Sequence, residues 1–496
     1  MKRKLYMNLA VSVFSNVVLL ILSLIIPRLF LLQYGSDTNG LLTTLSQIFA
    51  YIALLEAGIS QATLVQLYGP LKSGDKKQIS EIMSISRNYY RKVTGLYALL
   101  VLFIAVVMPF VIKSELNYWT IFLCVIFEGT AGVINFYFFS SQTIFLNADG
   151  RGYVNELTSL VGKTASYVVK IILALTGVSI VLIQFGSFVI SLSKMLFYNI
   201  YMRKNYPWID YKIKMNRKHK LPDRNAFIVT ELAWTLFSST DAIVLSVFCS
   251  TKMASVYSVN NMAFVAINSL VSAAYFGIRY VLGKAYHEGI DAYRRVHDSF
   301  NAVFMGIITA FMGVSVLLLD SFILLYTDGV QDIEYSYFGL PILFCLIQML
   351  SWSRYVSGNL TGIVGYAKQV SKISLVEAGV NVVLSVVFVN IWGIYGVVLA
   401  TVIALPIKVF YTNYISDKII MNRSGFSTLA KLGVDFLILF AVVIVRGKIY
   451  FVLTSWTTFF VWGIILTIVL SAIVMGIHLL IYPEFRNVCC RKKIVN

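Results

Sequence analysis

The sequence predicts an all-α polytopic membrane protein with about fourteen transmembrane helices, arranged as two pseudo-symmetric six-helix lobes and a C-terminal helix pair. Three observations predict it: the composition, the length and even spacing of the apolar runs, and a repeat that relates the two halves. Of the 496 residues, 58% are hydrophobic and 13% charged, and the mean hydropathy is +0.79. Soluble domains carry about 25% charged residues, so the surplus of apolar surface here calls for lipid as its solvent.

About 20 consecutive apolar residues cross the hydrocarbon core, and scanning for that length gives the elements in order. In the first half they are Asn8 to Gln33, Leu41 to Gln66, Val93 to Ile112, Tyr118 to Leu146, Val154 to Thr176 and Val178 to Met202. In the second half they are Ala226 to Phe248, Ala254 to Leu282, Phe300 to Thr327, Tyr337 to Thr361, Val370 to Asn390 and Ile394 to Ile415. Leu432 to Val452 and Trp456 to Tyr482 complete the set. The first of these follows Met1-Lys2-Arg3-Lys4, as a secretory signal would, but no small-x-small cleavage site follows it. It is expected to stay as an uncleaved first helix.

Basic flanks are retained in the cytoplasm. With the N-terminus inside, about 31 of the 41 Lys and Arg lie in cytoplasmic segments, and about 4 (Lys113, Lys252, Arg446, Lys448) lie outside. Both termini are therefore expected in the cytoplasm. The formal charge of +18 then belongs beside anionic headgroups, and nucleic acid is not an expected partner.

Every external loop is short, whereas the cytoplasmic connection Arg203 to Arg224 is long and carries Lys204, Lys212, Lys214, Arg217, Lys218 and Lys220. Its place midway reads as a linker, and the repeat supports the division. Ser159-Leu160-Val161 recurs as Ser374-Leu375-Val376, about 215 residues on. Asn147-Ala148-Asp149-Gly150 before Gly152-Tyr153 echoes Asn359-Leu360-Thr361-Gly362 before Gly365-Tyr366, and Lys194 with Phe197-Tyr198 echoes Lys408 with Phe410-Tyr411. The expected organisation is an N-terminal lobe over 1–202, a basic cytoplasmic linker over 203–225, a second lobe over 226–421, and an accessory helix pair with a basic tail over 422–496. Six helices per copy is an even number, so the two copies share one orientation in the membrane.

Chemistry in water finds little support. The five cysteines (Cys124, Cys249, Cys345, Cys489, Cys490) and four histidines show neither metal-ligand spacing nor a disulfide framework. No phosphate-binding Gly-rich loop, H-E-x-x-H or G-x-S-x-G is present. No enzyme, metal or cofactor is expected.

Ionisable side chains in the middle of a membrane helix cost about 2.5–3.5 kcal/mol each to insert, which makes those that remain informative. The basic set is Arg28, Lys163, Lys170, Lys194, Arg354 and Lys408; Lys163 and Lys170, two helical turns apart, project from one face. The acidic set is Glu56, Glu128, Glu231, Asp241, Asp320, Glu377 and Asp435. Each has a plain alternative: a long basic stem snorkels to the headgroups, and an acid-base pair fastens two helices. Lys194, Arg354 and Lys408, near helix ends, leave both readings open, and structural pairing competes for Glu56 and Asp241.

Two stretches add a resemblance. Pro27-Arg28-Leu29 through Tyr34-Gly35-Ser36-Asp37-Thr38-Asn39-Gly40-Leu41, followed by Leu54-Leu55-Glu56-Ala57-Gly58, resembles the first two helices of bacterial polysaccharide transporters, and Leu146 to Tyr153 resembles their entry to the fifth. These belong to the superfamily of multidrug, oligosaccharidyl-lipid and polysaccharide exporters, and the likeness extends to about Tyr482. It implies a flippase of the bacterial inner membrane that translocates undecaprenyl-diphosphate-linked oligosaccharide repeat units by alternating access. Polysaccharide polymerase machinery for capsule or O-antigen would take the product. On this reading Arg28, which follows a Pro27 that lacks an N–H and is expected to open the helix locally, is the first choice to bind the diphosphate, with Lys163, Lys170, Lys194, Arg354 and Lys408 as further candidates. A cation-coupled multidrug exporter, with Glu56 and Asp241 as ion-coupling residues, and a lipid II flippase are the rival readings.

Overall fold

The structure is a computed structural model that describes residues 2–56, 59–211, 232, 235–364, 366–449, 453–483 and 485–486. Most of the expected linker, Glu231, the Cys489-Cys490 pair, Ala57-Gly58 and Gly365 lie outside the described residues. The rest is helical, and the chain divides into two compact units, Met1–Ser255 and Val256–Asn496.

In the first unit, α1 (Lys2–Ala53) is broken at Gly35, with φ 77° and ψ 174°. Its apolar span, Phe14–Glu56, has 43 residues; at 1.5 Å per residue that is about 65 Å, twice the hydrocarbon thickness. The break therefore makes it two crossings, matching the first two apolar segments. Only glycine adopts that backbone conformation freely. Pro27, by contrast, stays inside regular helix, so the opening expected beside Arg28 occurs eight residues later. A short 3-10 turn (Leu54–Glu56) leads to α2 (Ile59–Ser73) and then to α3 (Lys76–Val111). The α3 N-terminus is capped by Asp75, whose Oδ1 accepts from the Gln78 N–H at 2.9 Å.

The unit continues through α4 (Tyr118–Ile134), a π-helical turn (Asn135–Phe139), α5 (Ser140–Ala148), α6 (Gly152–Leu175), α7 (Ile180–Asn205) and α8 (Asp241–Phe248). Helix α6 packs on α1 and α7, α4 packs on α3 and α7, and α8 lies against α1. The basic first half of α3 is held by aromatic faces: Arg87 stands 4.6 Å from the Tyr211 ring and Arg91 5.1 Å from Tyr137.

The second unit takes up α9 (Thr251–Glu288) after its first turn, then α10 (Ile290–Tyr326), α11 (Leu340–Trp352), α12 (Tyr355–Ile363), α13 (Ala367–Trp392) and α14 (Ile394–Tyr414). A π-helical turn (Ile415–Ile420), α15 (Ser427–Lys448) and α16 (Trp456–Ile481) follow. Helix α10 is the spine, its apolar span mostly buried against α11, α15 and α16. Helix α16 is the opposite case and turns Phe460, Val461, Ile464 and Ile468 outward, as lipid permits.

Among the described residues, ten helical spans are long and apolar enough to cross a membrane, α1 counting once across its break. The other expected crossings fall on α9, on α11 with α12, and on α8, whose upstream part is outside the described residues. The all-α polytopic fold is therefore as expected. The order of elements also repeats: a broken helix (α4–α5, α11–α12) precedes two long ones (α6 and α7, α13 and α14). Ser159 and Ser374 sit in the first of these, Lys194 and Lys408 in the second.

Candidate functional site

In the first unit, α6 and α7 lean on α4 and bring three of the expected basic residues together. A cavity of about 530 Å³ is lined by Glu128, Asn135, Asn155, Glu156, Lys163, Ser191, Lys194 and Tyr198. A smaller one of about 150 Å³ shares Glu128, Lys163, Ser191 and Lys194 with it and adds Lys170, Ser166 and Gln184. Seven-residue spacing placed Lys163 and Lys170 on one face of α6, and both indeed line this second cavity. Three lysines thus meet two glutamates in a polar cleft.

An apolar groove adjoins the cleft. Its volume is about 420 Å³ and its walls are Val154, Leu157, Val161, Ala165, Ile190 and Phe197 with Lys194 and Thr158 at the border. The lysine reaches that border because Gly162 has no side chain: a Cβ there would lie 2.0 Å from Lys194 Cε. The aliphatic stem therefore crosses α6 at Gly162, and the residue borders the apolar groove and the polar cleft alike.

The other sequence-selected residues stand elsewhere. In the second unit, Arg354 and Glu377 are buried and ion-paired, and Lys408 Nζ lies 3.9 Å from the other Glu377 oxygen. Arg28 is half-buried on the first segment of α1. Glu56 ends the 3-10 turn beside the Tyr90 phenol. Asp241 is buried at the start of α8, next to Thr240, which hydrogen-bonds Tyr51. The structure thus gathers Lys163, Lys170 and Lys194 in one place and Arg354 with Lys408 in another.

Sequence reasoning singled out Gly35 to Gly40 by resemblance and gave it no task. In the structure this turn is fastened to the α3–α4 connection and to the start of α9. Asp37 Oδ2 accepts from the Ser114 hydroxyl at 2.7 Å and the Glu115 N–H at 2.8 Å, while its Oδ1 takes the Thr251 hydroxyl. Asn39 Nδ2 donates to Ser255 Oγ at 2.8 Å, and the Ala242 N–H donates to Gln47 Oε1 at 3.1 Å. Lys252 pairs with Glu115 at 2.7 Å on the rim. Closest of all is Gly40, where a Cβ would fall 1.7 Å from the Thr251 carbonyl oxygen. A small polar run flanked by two glycines is the signal that could have marked it.

With the geometry in hand, the chain can be placed among known folds. No family model and no curated protein matches the sequence. Solved structures do match: the fold is one shared by polytopic membrane transporters. The lipid II flippase MurJ in an inward closed conformation superposes with a TM-score of 0.69 at 14% identity, over 95% of this chain and 98% of the flippase. An inward-facing multidrug resistance MATE transporter of the MOP superfamily gives a TM-score of 0.60 at 13% identity, over 84% and 95% of the two chains. A MOP superfamily transporter from Pyrococcus furiosus gives 0.52 at 12% identity, over 82% and 93%.

Proposed function

We propose that this chain is a flippase of the bacterial inner membrane, both termini cytoplasmic. It carries undecaprenyl-diphosphate-linked oligosaccharide repeat units to the outer leaflet by alternating access, for assembly of capsule or O-antigen. The observation behind this reading is the cleft of the first unit, where a lysine-bearing polar chamber and an apolar groove share the Lys194 border.

An amphiphile with an anionic head asks for that layout. A diphosphate cannot enter hydrocarbon bare, because stripping an ion of water costs several kcal/mol even after relaxation. Lys163, Lys170 and Lys194 offer charge-assisted hydrogen bonds in place of the lost hydration, and Asn135, Asn155 and Tyr198 offer partners for sugar hydroxyls. The polyprenyl chain needs no shelter and can trail along apolar surface into lipid. The seal at Asp37 to Gly40 is the gate that closes the exit while the head group loads. Transport of this kind makes and breaks no covalent bond.

The test is reconstitution into proteoliposomes with undecaprenyl diphosphate bearing a fluorescent disaccharide, scoring its exposure to an impermeant glycosidase. The double variant Lys163→Gln/Lys194→Gln should cross at least about tenfold more slowly, since one hydrogen bond to a charged group contributes about 1.5–3 kcal/mol. The control Lys284→Gln, on an exposed side chain, should match wild type. Equal rates for all three would remove the lysine cleft from the mechanism. The second reading, lipid II, draws on the near-complete overlap with MurJ, and faster crossing of lipid II in the same vesicles would favour it.

A further inference from the structure

The second unit buries a polar cluster that the lipid-linked substrate does not require. On α10, Ala302 and Gly306 are four residues apart and leave a shallow track for α16; a Cβ on Gly306 would meet His478 Nδ1 at 3.1 Å. His478 is fully buried in that track. Its Nδ1 lies 2.7 Å from the Ala302 carbonyl oxygen and its Nε2 3.1 Å from Asp435 Oδ1 on α15. Asp435, also fully buried, accepts the Thr309 hydroxyl at 2.7 Å, and its Oδ2 has no hydrogen-bond partner among the described residues.

These contacts fix a proton count. A carbonyl only accepts, so the nitrogen facing Ala302 carries hydrogen. The other nitrogen faces a carboxyl oxygen, and that contact is a hydrogen bond only if a further proton sits on the imidazole or on Asp435. Flipping the ring exchanges the nitrogens and leaves the count unchanged. Without that proton, two lone pairs oppose each other inside the membrane, which is costly.

A second histidine repeats the logic. Asn413 Nδ2 donates to the Val409 carbonyl at 2.9 Å, which leaves its Oδ1 to accept the Ser357 hydroxyl at 2.6 Å. Ser357 Oγ then accepts from His297 Nε2 at 3.1 Å, and His297 Nδ1 faces Asp298 Oδ1 at 2.9 Å. Asp298 is held as a carboxylate by Arg423 at 2.8 Å and Lys431 at 2.6 Å. Burial lowers the pKa of the Arg423 guanidinium, but hydrogen bonds and charges from Asp298 and Asp417 raise it on balance, so this cation is permanent. Tyr482 spans the two stations: its ring centroid is 5.2 Å from that of His478, and Lys431 Nζ lies 4.9 Å from it.

We infer that Asp435 and His478 form a proton-binding site within α10, α15 and α16, with His297 and Asp298 as its outer station, and that this proton couples to transport. The coupling half rests on the transporter reading above; the binding half does not. Uptake brings one proton from water by way of the outer station and stores it between Asp435 and His478, and release leaves a neutral imidazole and a carboxylate. Of the charges around it, Asp298 and Asp417 favour the loaded state, whereas Lys431 and Arg423 oppose it. Asp320 and Arg446, farther along α10 and α15, are ion-paired with each other, and Tyr293 on α10 lies 5.8 Å from the His297 ring.

The test has two arms, both on the full-length protein. In nanodiscs, an infrared pH titration should show a carboxylic-acid band and an imidazole band that change together, the first lost in Asp435→Asn and the second lost in His478→Gln. Thr309→Val, a milder change that removes the hydroxyl donated to Asp435, should move the same bands and serves as the test where either other variant folds poorly. Superimposable titrations of wild type, Asp435→Asn and Thr309→Val would overturn the site. In proteoliposomes holding a pH-sensitive dye, a pH gradient should change the crossing rate of undecaprenyl-diphosphate disaccharide about tenfold, and Asp435→Asn should ignore the gradient. A wild-type rate indifferent to the gradient would overturn the coupling. Absence of any crossing while the infrared bands still titrate would instead count against the substrate.

Discussion

Replacing Gly40 with alanine should unseal the first unit. The new Cβ would sit 1.7 Å from the Thr251 oxygen and 2.5 Å from its carbon. An ordinary C···O approach is about 3.3–3.6 Å, so roughly 1.6 Å must open between α1 and the start of α9. The obstruction is backbone on both sides, and no rotamer change relieves it. Overpacking of a close contact costs about 1–3 kcal/mol; a cost of about 2 kcal/mol borne only by the sealed state shifts its population roughly 30-fold toward the open one. The Asn39–Ser255 and Asp37–Thr251 hydrogen bonds would lengthen with it. Thr44 is fully buried beneath the seal and hydrogen-bonds Ser246, which makes Thr44→Cys a reporter once the five native cysteines are replaced by serine. An impermeant maleimide added outside intact cells should label it slowly with Gly40 present and many times faster in Gly40→Ala. Equal labelling at matched abundance would show that the close approach does not govern closure.

Arg28→Lys keeps the charge but loses the planar fork that holds phosphate oxygens bidentately, so it should transport poorly and Arg28→Ala hardly at all at normal abundance; wild-type surface polysaccharide in Arg28→Ala would make the residue structural. Arg354→Met leaves Glu377 facing Lys408 at 3.9 Å without its closest cation and should destabilise the protein by up to about 3–5 kcal/mol, read as a lowered melting temperature. The double variant Arg354→Met/Glu377→Gln should recover much of that loss, and failure to recover would mean that the pair is not the arginine's main contact.

Helices were legible in the sequence because lipid imposes a length and a polarity on each crossing, and both can be counted. Lys163 and Lys170 were paired correctly because helical periodicity needs no tertiary knowledge. Gly162 could not be read, since its value lies in the Lys194 stem that crosses it from another helix. Asp435 was singled out as an intramembrane charge, but its partner His478 sits at the far end of the next apolar segment and was set aside with the scattered histidines. Pro27 misled for a related reason: a proline can stay within regular helix, whereas the backbone angles at Gly35 cannot be hidden.

The tie between α10 and the last helix also bears on how the chain is made. His478 and the Ala302 carbonyl that it meets are 176 residues apart in sequence. At about 5–20 residues per second, a ribosome needs roughly 10–35 s to cover that distance. During that interval α10 is already synthesised, while Asp298, Thr309 and the bare track at Gly306 still lack their neighbours. A nascent helix in that condition is a client for an insertase that shields polar side chains from lipid. Chains cut short after Met421 should be recognised and degraded by membrane proteases, because the helices that would complete α10 never arrive.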